Sequence, residues 1–338
     1  MPPGEGGCAT AERAPIHRKN RQNRLTVGRA RSDKYSVCLV SIGGGSGCIR
    51  SRVHRSIQMK ISVIVSTYNK PQWLEKVIWG YALQSITDFE LLVADDGSTR
   101  ETAQLIKRLR QETGIDIKHI WHQDLGYRKC TIQNQAIAAA AGDYLVFTDG
   151  DCIPREDFLA QHRRLAAPNV ILSGGYVRLP AGVSQEIQVA DITSRRAMDP
   201  RWLWRRGLRS PRDLLKSLRG KWTATMFDYL TTTRATLNGC NASVAREAVV
   251  GVNGFDERMQ YGGLDRELGE RLKNSGLRYK QVRYRAICLH LWHERPYMTD
   301  EGWQRNAEIR RTTRQCGSVW TPYGIQQDAS DQDALRSA

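Results

Sequence analysis

A chain of 338 residues with 40% hydrophobic residues can bury the core of one large domain or of two small ones. Its formal charge of +16 is concentrated in two places. Residues 1–58 hold eleven Lys/Arg against three acids, residues 195–222 hold ten against two, and the remainder is close to neutral, which excludes a protein basic throughout, as a nucleic-acid coat would be.

The eight cysteines are scattered and form no CxxC pair, so a zinc site is not expected and a reducing compartment is the simpler setting. No apolar run reaches the ~18 residues of a membrane span, and no basic start with an apolar core opens the chain as in a secretory signal. The expectation is a cytoplasmic protein, with a peripheral place on the inner face of the plasma membrane as a variant of it.

Residues 1–58 are rich in Arg, Gly and Ser and lack periodicity, which predicts a disordered or non-native extension. The Gly-rich patch at 43–47 lacks the Lys of a phosphate loop. Met59-Lys60 stands directly before the first good strand, so Met59 is expected to be the natural start.

Strand–helix alternation begins at Ile61. Residues 61–66 are a β-branched apolar run suited to a buried parallel strand. Pro71 sits where a first helical turn tolerates it, and Leu74, Val77, Ile78 and Tyr81 follow as one helical stripe. A second strand over residues 89–94 runs into Asp95-Asp96-Gly97-Ser98, with Ser98 and Glu101 predicting a capping box. Ile117–Trp121 reads as a third strand, 129–141 as an Ala-rich helix, and 144–148 as a fourth strand leading into Asp149-Gly150-Asp151. Repeated units of this length predict an α/β fold with a mostly parallel sheet and helices on both faces.

After a strand at 169–173 the pattern breaks. Residues 180–237 read as irregular, basic and Trp-containing, with a helix over 212–221. Order resumes with a helix over 265–274 and strands at 279–284 and 286–289, and the polar chain beyond Ser318 is expected to fray. The divisions are therefore 1–58, a nucleotide-binding half 59–175, a basic insert 176–237, a catalytic and acceptor half 238–317, and a tail 318–338.

Three motifs end strands of one sheet: Thr67-Tyr68-Asn69, Asp95-Asp96 and Asp149-Gly-Asp151. In open α/β sheets ligands bind at the carboxyl ends of the strands. Two carboxylates two residues apart can face one divalent ion, and Mg2+ or Mn2+ accepts such oxygen ligands beside substrate phosphates. Asp95-Asp96-Gly97-Ser98 reads either as a strand-to-helix turn or as a site in which one carboxylate, Asp96 in preference to Asp95, accepts from a base or ribose. His290 and His293 are three apart, so on a strand they point differently and at most one is expected to reach the metal. Asp265 reads either as a carboxylate suited to a helix start or as a general base for an acceptor hydroxyl.

Together these residues resemble the family-2 glycosyltransferases of GT-A fold over about residues 60–295. The resemblance is carried by Ile61-Ser-Val-Ile-Val-Ser-Thr-Tyr-Asn-Lys-Pro, Gln84, Ala94-Asp-Asp-Gly-Ser, Gly126-Tyr-Arg-Lys, Asn134 and Val146-Phe-Thr-Asp-Gly-Asp-Cys-Ile-Pro. Asn238-Gly-Cys-Asn-Ala-Ser and Val252-Asn-Gly-Phe-Asp-Glu look like a galactosyltransferase-like segment. The resemblance implies an inverting hexosyl- or N-acetylhexosaminyltransferase that uses a UDP-sugar or related donor. It implies a glycan or lipid-linked glycan acceptor, in cell-surface polysaccharide or lipopolysaccharide synthesis. Thr67, Tyr68, Asn69 and Asp96 would line the nucleotide pocket, with Arg128 and Asn134 near the donor. Asp149 would face ribose or sugar, or join Asp151 on Mn2+ or Mg2+, with His290 or His293 completing the metal shell and Asp265 as base. Leu264 departs from the family's usual Glu-Asp and removes an acceptor-binding carboxylate.

The insert has two readings: a solvated loop over the acceptor side, or a surface for anionic lipid heads or a phosphorylated lipid-linked glycan, with Trp202, Trp204 and Trp222 suited to a membrane interface. Two rival functions stand beside the enzyme. One is a non-catalytic nucleotide- or glycan-binding relative, which Leu264 favours and the intact acids oppose. The other is a basic nucleic-acid binder, although no nucleic-acid partner is expected.

Overall fold

The computed structural model describes residues 59–218, 220–294 and 298–326. The expectations for residues 1–58, Met59 as a start included, concern a segment outside the described residues.

The elements follow in order: β1 (Ile61–Thr67), α1 (Pro71–Ala82), β2 (Phe89–Asp95), α2 (Arg100–Thr113), β3 (Ile117–Trp121), α3 (Lys129–Ala139), β4 (Tyr144–Asp149), β5 (Cys152–Pro154), α4 (Phe158–Leu165) and β6 (Val170–Arg178). Then come α5 (Ala181–Glu186), α6 (Val189–Thr193), a 3-10 turn (Arg196–Met198), α7 (Pro200–Arg205), α8 (Pro211–Ser217) and α9 (Lys221–Leu230). The chain closes with β7 (Ala242–Ala245), α10 (Arg246–Gly251), α11 (Leu264–Asn274), β8 (Arg278–His290) and α12 (Asp300–Gln315).

The strands form one sheet in the order β3-β2-β1-β4-β7-β6-β8-β5. β1 runs parallel to β2 and β4, β2 to β3, and β6 to β8, while β7 and β5 are antiparallel to their neighbours. All seven residues of β1 and of β2 are buried, as expected of strands covered on both faces. Ile61, Val63 and Val65 pack with α1 and α2 on one face; Ile64 packs with α3 and α11 on the other.

Register decides where the site lies. Thr67 pairs with Asp95 and Ser66 with Asp149, so three strands end in line. Cys152 pairs with His290 in β5–β8, and Leu291 donates its backbone N–H to Asp151 O at 2.9 Å. This pairing brings the end of β8 beside the Asp149–Asp151 turn from 139 residues further along the chain.

Several local expectations are corrected. The N-cap of α2 is Thr99, without a side-chain bond. Ser98 cannot cap, because its hydroxyl accepts from Asn69 N at 2.8 Å and its own N–H donates to Asp95 Oδ1 at 2.8 Å. Residues 180–237 are largely built of short helices, and a helix expected over 212–221 is two, α8 and α9. The two strands expected over 279–289 are the single β8; its register with β6 shifts at Gly174/Gly175. The polar segment from Ser318 is held as far as Gln326: Asn253 Nδ2 donates to Thr321 O and Gln326 O, and Arg258 lies over the Tyr323 ring at 3.8 Å.

His162 on α4 is buried, with Nδ1 2.7 Å from Ser243 Oγ and Nε2 3.0 Å from Asn241 Oδ1. Burial pushes its pKa from 6.5 down to about 4. The unfolded chain therefore binds a proton that the folded chain refuses. Stability from this group is complete above pH 6.5 and is lost as pH falls toward 4. Urea midpoints are expected to show wild type losing about 2 kcal/mol between pH 7 and 5 beyond what His162→Gln loses. Equal losses would remove His162 as the cause.

Candidate active site

The aligned strand ends open on a cavity of about 570 Å³. Thr67, Tyr68, Asn69, Asp96, Asp149, Asp151, His290 and His293 all line it. Register supplies the first five, since the ends of β1, β2 and β4 coincide, and the β5–β8 pairing supplies the rest.

Asp151 is the centre of a donor cluster. His293 Nε2 lies 3.0 Å from its Oδ2 and His290 Nε2 lies 4.0 Å from its Oδ1. Burial alone would raise this carboxyl, but the hydrogen bond from His293 and the charges of both histidines bring it down to about 2. The three residues offer ligand atoms within 4.8 Å of one another. The expectation that at most one histidine reaches this point is corrected. β8 ends at His290, so the alternation of a strand does not extend to His293, and the two rings stack 5.6 Å apart at 15°. A carboxylate with two imidazoles, open to the cavity on its other side, fits a first-row divalent cation; the nitrogen ligands suit Mn2+ better than Mg2+.

Asp149 does not join this cluster. Lys129 Nζ donates to its Oδ1 at 2.7 Å, so the two carboxylates of the turn have different partners. Asp149 does lie near Cys152 and Cys240, but burial pushes the Cys152 thiol up, and the Cys152 contact with burial does the same for Cys240. Protonated thiols are poor ligands. Gly150 between the acids sits in a tight space: a Cβ there would stand 3.0 Å from Thr67 Oγ1 and 3.1 Å from Ser66 O, so its neighbours would have to give by a few tenths of an ångström.

Lys129, quoted in a sequence motif without a role, is a half-buried cation of the cavity. Burial opposes its charge, yet Asp149, Tyr127 and Asp265 outweigh that and hold it protonated far into the alkaline range. Its signal was position: the first residue of a helix that follows a loop at the strand ends. Trp73, Tyr127 and Tyr261 also line the cavity, with Tyr127 and Tyr261 edge to face at 6.1 Å; of these only Tyr127 falls in a motif quoted above, without a role.

Asp96 is nearly buried. Its Oδ1 lies 2.8 Å from His122 Nε2 and its Oδ2 accepts from Arg128 N at 3.0 Å. Burial raises its pKa in spite of both partners. Asp95 is fully buried and holds the turn through Ser98 N and His119. Asn69 adopts a left-handed φ of 46°, and its Oδ1 accepts from Thr99 N at 2.9 Å, joining two of the loops that border the cavity. Gly97, at φ 92°, lets the 122–126 loop close over it, since a Cβ there would meet Asp124 Cα at 2.6 Å. Tyr68 donates to Asp124 Oδ2 at 2.8 Å.

Two residues expected near the donor have other tasks. Asn134 is buried and spends its amide on Phe255 and Glu257, which locks α3 to the 253–257 turn away from the cavity. Arg128 contributes its backbone N–H to Asp96; its side chain is not part of the cavity lining.

Asp265 is the second residue of α11, and its Oδ2 accepts from Gly239 N at 2.7 Å. It does not line the cavity itself, but its charge acts on Lys129 and Tyr127, which do. Leu264 beside it is buried in the apolar core.

Residues 62–209 match glycosyl transferase family 2, and residues 226–294 match the N-terminal domain of galactosyltransferase. The chain is 29% identical over 232 residues to validoxylamine A glucosyltransferase of Streptomyces hygroscopicus subsp. jinggangensis, across 64% of this chain and 52% of that protein. It is 25% identical over 232 residues to chondroitin synthase of Escherichia coli, across 66% of this chain and 33% of that protein. The chain thus spans about half the length of the first relative and a third of the second. The structure of Staphylococcus aureus TarS residues 1–349 with UDP-GlcNAc matches at a TM-score of 0.50 and 18% identity, over 74% of this chain and 64% of that one, which is a likeness of fold. The family matches and the sheet with its helices agree: residues 62–209 carry a glycosyl transferase family 2 segment in a GT-A fold, followed by a galactosyltransferase-like segment over residues 226–294.

Proposed function

We propose that the chain transfers a hexosyl or N-acetylhexosaminyl group from a nucleotide-diphospho-sugar to a hydroxyl of a glycan or lipid-linked glycan, with inversion. One observation carries this reading. Asp96, the Asp149–Lys129 pair and the Asp151–His290–His293 cluster face one cavity large enough for a nucleotide sugar. The relatives named as glucosyltransferase and chondroitin synthase support it.

In this reading Thr67, Tyr68, Asn69 and Asp96 hold the nucleoside, and Asp149 faces ribose or sugar. Asp151, His290 and His293 hold Mn2+ or Mg2+, which when bound stabilises negative charge on the diphosphate. Lys129 places a fixed positive charge in the same cavity. Asp265 takes the proton from the acceptor hydroxyl as its oxygen attacks the anomeric carbon, and the nucleoside diphosphate leaves with the bonding pair. One base suffices, since the leaving group needs charge stabilisation and no proton, unlike the paired carboxylates of a glycosidase.

The test is a panel of sugar nucleotides with Mn2+ and a glycan acceptor, reading nucleoside diphosphate release and product mass. Asp265→Asn is expected to slow transfer by ~10²- to 10⁴-fold while nucleotide-sugar affinity stays near wild type. Full transfer by this variant would refute the base, and no turnover of any donor by wild type would refute the reading.

A further inference from the structure

The basic stretch between β6 and β7 has a surface that sugar transfer does not use. α9 carries apolar side chains on two opposite sides. Ala224, Phe227 and Asp228 form its inner side: Phe227 packs 5.4 Å from Tyr284, and Asp228 accepts from Tyr284 N at 2.7 Å and pairs with Arg285. The outer stripe is Trp222, Met226, Tyr229 and Leu230, at i, i+4, i+7 and i+8. Trp222 is 87% and Tyr229 90% exposed. A helix lying on a water-facing surface carries polar residues there.

A second apolar feature lies just before it in the chain. Pro200, Trp204, Pro211, Leu214 and Leu218 line an open furrow of about 560 Å³ between α7 and α8, with Arg201 and Arg205 on its walls. Arg201, Arg205, Arg206, Arg209 and Arg212 are all exposed. Among the described residues only Arg206 of these five pairs with a carboxylate, Glu186 at 2.5 Å. Arg209 instead lies over the Trp204 ring at 4.9 Å.

We propose that the outer stripe of α9 and the furrow between α7 and α8 dock together on an anionic phospholipid bilayer, with Trp204, Trp222 and Tyr229 at head-group depth and the arginines against lipid phosphates. Charge selects this occupant. A second copy of the chain docked face to face would set the same arginines against one another, whereas an anionic lipid surface neutralises them. Amphipathic Trp and Tyr side chains favour the membrane–water interface. No described helix is long and apolar enough to cross a membrane, so the contact is one of lying on the surface.

Vesicle sedimentation of the full chain decides the matter, comparing phosphatidylglycerol–phosphatidylcholine vesicles with pure phosphatidylcholine. Wild type is expected to pellet with the anionic vesicles alone and to be released by salt. Trp222→Ser/Tyr229→Ser and Arg201→Glu/Arg205→Glu are each expected to lower partitioning at least tenfold, with unchanged far-ultraviolet circular dichroism. Residues 1–58 are also basic, so the paired variants carry the test: binding equal to wild type in both would overturn the proposal. So would equal binding to both lipids, no binding, or a wild-type dimer that the Trp222→Ser/Tyr229→Ser variant splits without loss of vesicle binding.

Discussion

Replacing Asp151 by Asn is expected to lower Mn2+-supported turnover of a sugar nucleotide about 10³-fold, which is roughly 4 kcal/mol of transition-state stabilisation. The change removes the carboxylate that groups with His290 and His293 among the described residues. An amide oxygen carries no full charge, so both the affinity for a divalent cation and the charge balance of the cavity suffer. Titration of Mn2+ by electron paramagnetic resonance is expected to show weaker binding in parallel with the lost rate. Asp149→Asn is the informative contrast. Its partner is Lys129, so it is expected to slow turnover while leaving Mn2+ affinity close to wild type. If Asp151→Asn keeps wild-type ion binding, the donor cluster has been misassigned; if Asp149→Asn loses it, the two carboxylates share one ion after all.

Arg271→Met is expected to cost about 3–5 kcal/mol of stability, read from urea unfolding, because it strands a buried charge. Arg271 and Glu267 are each 1% exposed on their side chains and pair at 2.8 Å, one helical turn apart on α11. The guanidinium also donates to Val252 O and Gly254 O, and Thr313 on α12 donates to Glu267 Oε1 at 3.0 Å. This network ties α11, which carries Asp265, to the 252–254 turn and to α12. Adding Glu267→Leu to Arg271→Met is expected to restore part of the loss, since an apolar pair of similar volume removes the unpaired charge. A single variant as stable as wild type would show that the pair contributes nothing net.

Much of the nucleotide-facing half was legible as a linear pattern. The apolar runs of β1, β2 and β4 follow from burial on both faces, and a parallel sheet places motifs that end such runs at one edge. Thr67, Tyr68, Asn69, Asp96, Asp149 and Asp151 are therefore legible from the sequence as one group, and all six line the cavity. Pro71 stands at the start of α1 as its fixed φ requires. Local signals misled where a competing partner existed. Ser98 and Glu101 have the spacing of a capping box, but a contact from Asn69, 29 residues upstream, takes the hydroxyl.

The sequence by itself determined the alternation of strands and helices, the edge at which acids gather, and the charge of the insert, because each depends on neighbours within a few residues. Only the tertiary structure decided which acid meets which cation. The antiparallel pairing of Cys152 with His290 brings two histidines to Asp151 and leaves Asp149 to Lys129. That strand register is set by packing summed over the whole sheet, so no local spacing could reveal it. The outward apolar stripe of α9 has the same origin. Its Trp and Tyr suit a buried face as well as a lipid surface, and only the docking of Phe227 and Asp228 on β8 turned them outward.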